Sequence, residues 1–298
     1  SALQTGATAP KIDPDKIAYL GESLGGIQGS AAAALEPNVK AWVLGVAGGG
    51  IVPELASHSP TISVQLRAAA GLNFAFNAEN FDEAHVFLPL AQTVGELGDP
   101  IVYADRLIKN PRGVKGAAGK ARNLLYTEVV FDELVSNEAS EALARAAGYG
   151  LAVPNVGTNG GNIDPKTPAT AIWRVTLPDV APDANGIHDT PVAGSTAVLV
   201  QVSPGHHGAE LTHSIGKRSY TIPFNSKDGN PPTRFNDAQR VSVRTSYREV
   251  QAMLVRFIDE AFQGKVPSVA GFKPPVRDAD DDGTPDATDP DPMNPQAK

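Results

Sequence analysis

A chain of 298 residues, 41% hydrophobic and 19% charged, has the mix of a folded globular protein and not that of a disordered or coiled-coil one. Its net charge of -8 disfavours nucleic acid as a partner, and the absence of any run of about 18 apolar residues excludes a helical membrane span. With no cysteine, disulfides, thiolate metal sites and a cysteine nucleophile are ruled out together. In chain order, Ile17 to Leu20 reads as a short buried strand after the turn Asp13-Pro14-Asp15, and Ile27 to Leu35 as an Ala-rich helix ended by Pro37-Asn38. Val39 to Val46 is the next strand, closed by Gly48-Gly49-Gly50. Residues 51–120 lack strand alternation and hold helical patterns at Ser63–Leu72, Phe81–Val94 and Ile101–Ile108, which predicts an inserted helical cap. Leu124 to Phe131 reads as a strand, followed by an amphipathic helix from Ala139 to Ala147 that Gly148 stops. The Pro/Gly/Asn-rich stretch 149–195 offers one strand, Ala171–Leu177. Thr196 to Val202 is a further buried strand, and Val250 to Phe262 a closing helix with apolar residues at helical spacing. The alternation predicts an α/β class with a mostly parallel sheet.

The most informative segment is Lys16-Ile-Ala-Tyr-Leu-Gly21-Glu22-Ser23-Leu24-Gly25-Gly26. Gly-x-Ser-x-Gly here follows a strand and opens a helix, the context in which a serine on a sharp turn projects its hydroxyl from the end of a sheet. Small residues at Gly21 and Gly25 let neighbouring backbone approach that turn, and the Leu24 N–H at the helix start can stabilise a developing oxyanion. In these features the chain resembles the α/β-hydrolase fold family, in the branch of serine esterases and lipases.

That family orders its catalytic groups as Ser, then an acid after a later strand, then His after the last strand. The run Leu124-Leu-Tyr-Thr-Glu-Val-Val-Phe131-Asp132-Glu133-Leu134 resembles its strand and acid-bearing turn, and Asp132 stands at the matching position. Glu133 and Glu128 are the competing acids, and Asp132 could instead only cap the turn or helix that follows. Thr196-Ala-Val-Leu-Val-Gln-Val202-Ser-Pro-Gly205-His206-His207-Gly208 supplies a base on the loop past the last strand. The resemblance favours His207, which Gly follows, with His206 as the alternative. Metal binding by the pair lacks a further ligand at suitable spacing. His58, His85, His188 and His213 receive no role.

The resemblance implies a hydrolase catalytic domain over 1–265, with 51–120 as its cap and Leu66, Leu72, Phe74, Phe76, Phe81 and Phe87 either lining an acyl pocket or forming the cap's own core. It also implies a partner. The family has several strands before the elbow, so an N-terminal hydrolase fragment from a second polypeptide is expected to complete the sheet, since a bare strand edge leaves backbone groups unpaired. Residues 266–298 form a Pro/Asp-rich tail. Seven Asp and one Lys give residues 278–298 a charge of -6, which leaves -2 for the rest. Asp278, Asp280, Asp282, Asp286 and Asp289 around Gly283 resemble the calcium-binding repeat of thrombospondin type 3 modules, which implies structural Ca2+ and a secreted or cell-surface bacterial protein. The expected activity is carboxylic-ester hydrolysis through an acyl-enzyme. The alternatives are a polyester or amide hydrolase and a non-catalytic, calcium-dependent surface or adhesion protein on the same scaffold.

Overall fold

A computed structural model of the chain describes residues 12–59, 61–62, 87–113, 119–129, 132, 134–152, 179–180, 194–202, 207–208, 219–223, 238–242 and 247–269. Strand β1 (Ala18–Glu22) turns at Ser23 into helix α1 (Leu24–Leu35), and β2 (Ala41–Gly45) returns beside β1. A π-helical turn, Ile51–Ala56, is followed by α2 (Phe87–Gly95) and by 3-10 segments at Glu96–Gly98 and Pro100–Arg106. Then come β3 (Leu124–Val129), α3 (Asn137–Ala147), β4 (Gly150–Ala152), β5 (Asp179–Val180) and β6 (Ala197–Val202). Strands β7 (Ser219–Pro223) and β8 (Ala238–Ser242) precede the last described helix, α4 (Tyr247–Phe262).

Among the described residues six strands form one sheet in the order β1-β2-β3-β6-β4-β5, every neighbouring pair parallel, while β7 and β8 make a separate antiparallel pair. The chain leaves β3 through α3 and enters β4 one place further out, and β6 later fills the gap between them. The class is therefore α/β with a parallel sheet and flanking helices.

A parallel sheet covered on both faces needs apolar residues at successive positions. The strands supply them, and their two-residue period sorts them into two cores. Trp42, Leu44, Leu124, Tyr126, Ala197 and Leu199 face α1, α3 and the segment around Pro100–Ile108. Val43, Leu125, Val129, Val198, Val200 and Val202 face α4, which presents Val250, Met253, Leu254, Phe257 and Ala261. The fully buried Phe257 alone is worth roughly 1.5–3 kcal/mol of transfer free energy.

Leu107 and Ile108 are buried in the first of these cores, so the end of the segment read as cap packs on the sheet's own helices. Asp99 holds this arrangement together. It is fully buried, and its Oδ1 accepts from the Gly50 and Ile101 amides at 3.1 and 3.0 Å. Its Oδ2 accepts from the Ile51 amide at 2.6 Å and from Gln92 Nε2 at 2.8 Å. One carboxylate thus caps the Pro100–Arg106 turn and ties it to the loop after β2 and to α2.

Tyr19 and Trp42, paired in register across β1 and β2, place their rings 5.1 Å apart. Trp42 is buried, and among the described residues its indole Nε1 has no hydrogen-bond partner. No helix among the described residues is long and apolar enough to cross a membrane.

Candidate active site

In a parallel α/β sheet, loops at the carboxyl ends of the strands gather on one edge, where ligands bind. Ser23 follows β1, Asp132 follows β3, and His207 lies beyond the end of β6. Topology therefore brings the three predicted residues to one edge.

Ser23 has φ 57° and ψ -119°, a setting that a residue with a Cβ seldom adopts and that costs roughly 1–3 kcal/mol. Its surroundings hold it there. The Ser23 amide donates to Gly45 O at 2.9 Å, and its own carbonyl accepts the first helical bond, from Ile27 N at 2.9 Å. Tyr19 Oη braces the turn by donating to Gly25 O at 2.8 Å. A Cβ on Gly21 would lie 2.5 Å from Gly25 O, and one on Gly26 would lie 2.5 Å from Gly45 O. A Cβ on Gly25 would meet nothing closer than Tyr19 Oη at 3.9 Å. The close approach thus rests on Gly21 and Gly26, whereas the motif points to Gly21 and Gly25. Leu24 heads α1 with an exposed side chain, and the first amides of a helix have no intrahelical acceptor.

Asp132 is buried, and its Oδ1 accepts from the Leu134 and Val135 amides at 2.7 and 2.9 Å. Its own amide donates to Val129 O at 3.1 Å, which folds the chain back directly after β3. Both carboxylate oxygens face His207 Nδ1, at 2.9 Å for Oδ1 and 2.8 Å for Oδ2. A carboxylate only accepts, so Nδ1 carries the proton and Nε2 is left as the basic nitrogen. Asp132 thus both caps its turn and holds the histidine. The N-cap of α3 is a different residue, Ser136, whose Oγ accepts from Ala139 N at 3.3 Å.

The acid turn is fastened from outside as well. Ser136 Oγ donates to Glu54 O at 2.9 Å, and Ser59 Oγ donates to Leu134 O at 2.5 Å, so the π-helical turn and the residues just after it grip the acid turn at two points. The loop after β2 is under similar constraint. Val46 has φ 41°, and the next carbonyl, Ala47 O, accepts from Ser140 Oγ at 2.7 Å and from the Tyr126 hydroxyl.

Of the competing acids, Glu128 lies in β3 and accepts from Gln201 and Asn137. Burial pushes its carboxyl up to about 7, the like charges of Glu138 and Asp132 add to this, and the two amide hydrogen bonds pull against it. Burial likewise raises Glu141 to about 8, with Glu128 adding to the rise and Arg145 opposing it. Neither Asn137 nor Gln201 stood out in the sequence. Their only advance signal is position, one opening the helix after the acid turn and the other near the end of the strand before the histidine loop.

His206, Glu133 and the tail residues Asp278, Asp280, Asp282, Asp286 and Asp289 lie outside the described residues, as do Leu66, Leu72, Phe74, Phe76 and Phe81 and the segment Ala171–Leu177. Among the described residues no cluster of three or more His, Asp or Glu could hold a metal ion. No protein-family model matches the chain, and no curated protein matches it.

Proposed function

We propose that the chain is a serine hydrolase of the α/β-hydrolase type that cleaves carboxylic esters. The observation that carries this reading is the contact of His207 with the buried Asp132 on the same sheet edge as a serine held at positive φ. Ser23 is the nucleophile, His207 the base and Asp132 the group that fixes its tautomer and orientation. His207 Nε2 takes the hydroxyl proton as Ser23 Oγ attacks the ester carbonyl, and the Leu24 amide stabilises the oxyanion. The proton then passes to the leaving alcohol. Water, deprotonated by the same nitrogen, releases the acid and restores Ser23.

The test is turnover of p-nitrophenyl acetate and butyrate by wild type, Ser23→Ala and His207→Ala. Each substitution is expected to lower kcat by at least about a thousandfold. Equal rates for wild type and Ser23→Ala would remove the enzymatic reading and leave the non-catalytic surface protein in its place.

The same proposal includes a partner. Among the described residues β1 pairs only with β2, and Ile17 and Leu20 are exposed at 38% and 45%. Further parallel strands from an N-terminal hydrolase fragment would pair that edge and cover those side chains. Native mass spectrometry of protein purified from its source is expected to show a second polypeptide. A single polypeptide with full esterase activity would overturn the two-chain assembly. For the tail, calorimetric titration is expected to give a calcium dissociation constant on the order of 10⁻⁴–10⁻³ M, as in extracellular modules. Binding unchanged in Asp280→Asn/Asp282→Asn would rule the site out.

A further inference from the structure

Glu128 occupies the next-to-last position of β3, on the face covered by α3, and is fully buried. An apolar side chain would fill that place without the cost of desolvating a carboxyl. Both carboxyl oxygens are engaged. Oε1 accepts from Nε2 of Gln201, its register partner on β6, at 2.7 Å. Oε2 accepts from Nδ2 of Asn137, the first residue of α3, at 3.0 Å. The same Asn137 nitrogen donates to Val129 O at 2.9 Å, closing the turn that contains Asp132. Gln201 stands one residue from the end of the strand whose continuation holds His207. Asp132 and Glu138 press on Glu128 as like charges, while Glu141 and Tyr126 share its field, so no cation among these neighbours accounts for it.

We propose that Glu128 is a positioning residue, clamping the start of α3 and the end of β6 to the end of β3 so that Asp132 and His207 leave the sheet at a fixed separation. The inference rests on the catalytic reading of that pair. The clamp itself touches no substrate. It works on geometry, and a displacement of about 1 Å in a reacting group costs on the order of a hundredfold in rate.

The test compares wild type, Glu128→Leu and Glu128→Gln in two readouts. One is turnover of p-nitrophenyl butyrate. The other is the downfield proton resonance of the His207–Asp132 hydrogen bond, assigned by its loss in His207→Ala, which needs no turnover. Glu128→Leu is expected to lower kcat by about tenfold to a hundredfold with KM within about twofold, and to shift or broaden the resonance. Glu128→Gln, toward which the Gln201 amide can turn its oxygen, is expected to restore both readouts to near wild type. A Glu128→Leu protein with wild-type kcat and an unchanged resonance overturns the clamp, whatever its melting temperature. Where Glu128→Leu does not fold, Gln201→Leu removes one arm and is read in the same way. Should Ser23→Ala prove as active as wild type, the hydrolase reading fails alone, and the resonance still decides whether Glu128 positions the pair.

Discussion

Ser23 and Gly26 hold the elbow between them, one by accepting a strained backbone and the other by having no side chain. The strand-turn-helix context of Gly21-x-Ser23-x-Gly25 made the turn legible in the sequence, because few other patterns place two glycines around a serine directly after an apolar run. The motif could not show which glycine the packing requires, since that depends on how near α1 passes to the end of β2. Gly26 is the wedge, its missing Cβ standing 2.5 Å from Gly45 O. Gly26→Ala is expected to destabilise the fold by about 1–3 kcal/mol in urea unfolding, and Gly25→Ala to change stability by less than about 0.5 kcal/mol. Equal losses for the two would contradict this packing. Two neighbouring histidines stand on the loop after β6, and the contact of His207 with Asp132 joins residues 75 positions apart. No local pattern contains that information.

Elements that the sheet buries on both faces were the easiest to read. β2, β3 and β6 fall within a few residues of their expected positions, as do the more exposed β1 and the helices α1, α3 and α4, since continuous apolar runs and the 3.6-residue period mark them. Short strands escaped. Gly150–Ala152 is three residues long and opens a Pro/Gly/Asn-rich stretch, too brief for any period to register. The segment around Pro100–Ile108 shows a different limit. Periodicity marks it as helical but does not say that it packs against α1 and α3. A second anchor is Asp99, which ties the segment to the loop after β2 and to α2 and whose place before a proline at the first helical position is a capping signal. Its four hydrogen bonds join three elements, so Asp99→Ala is expected to lower unfolding free energy by about 3 kcal/mol, and Asp99→Asn by less because one acceptor survives. Chemical denaturation of the two variants checks the order, and an Asp99→Ala protein as stable as wild type would contradict the hub.

The whole molecule carries a net charge of -8, and among the described residues two carboxyls behind the acid turn, Glu128 and Glu141, are raised by burial into the neutral range. Glu128 and Glu141 rise from 4.5 to about 7 and about 8 on burial. The folded state therefore holds these protons more tightly than the unfolded one. Their contribution to stability is complete below about pH 4.5 and is lost as pH climbs through 7 and 8. Replacing Glu141 by Gln removes one such site while leaving an oxygen to accept from Arg145, whose guanidinium nitrogen lies 3.2 Å from the carboxylate. Glu141→Gln is expected to show a shallower fall in Tm between about pH 5 and 9, and a higher Tm than wild type at the alkaline end. Parallel Tm profiles for the two proteins would remove Glu141 from the balance.

Trp42 offers a further consequence. The chain has two tryptophans, so a Trp173→Phe variant would leave a single indole emitter in the seam between β1 and β2. An indole that is shielded from water and has no acceptor among the described residues emits toward the blue, and the Tyr19 ring 5.1 Å away can pass excitation to it. Tyr19 is the residue whose hydroxyl braces Gly25, so ring and hydroxyl together connect the light signal to the Ser23 turn. Ligands entering beside Ser23, or strands added along β1, would then be followed by emission colour and tyrosine-to-tryptophan transfer, without a label.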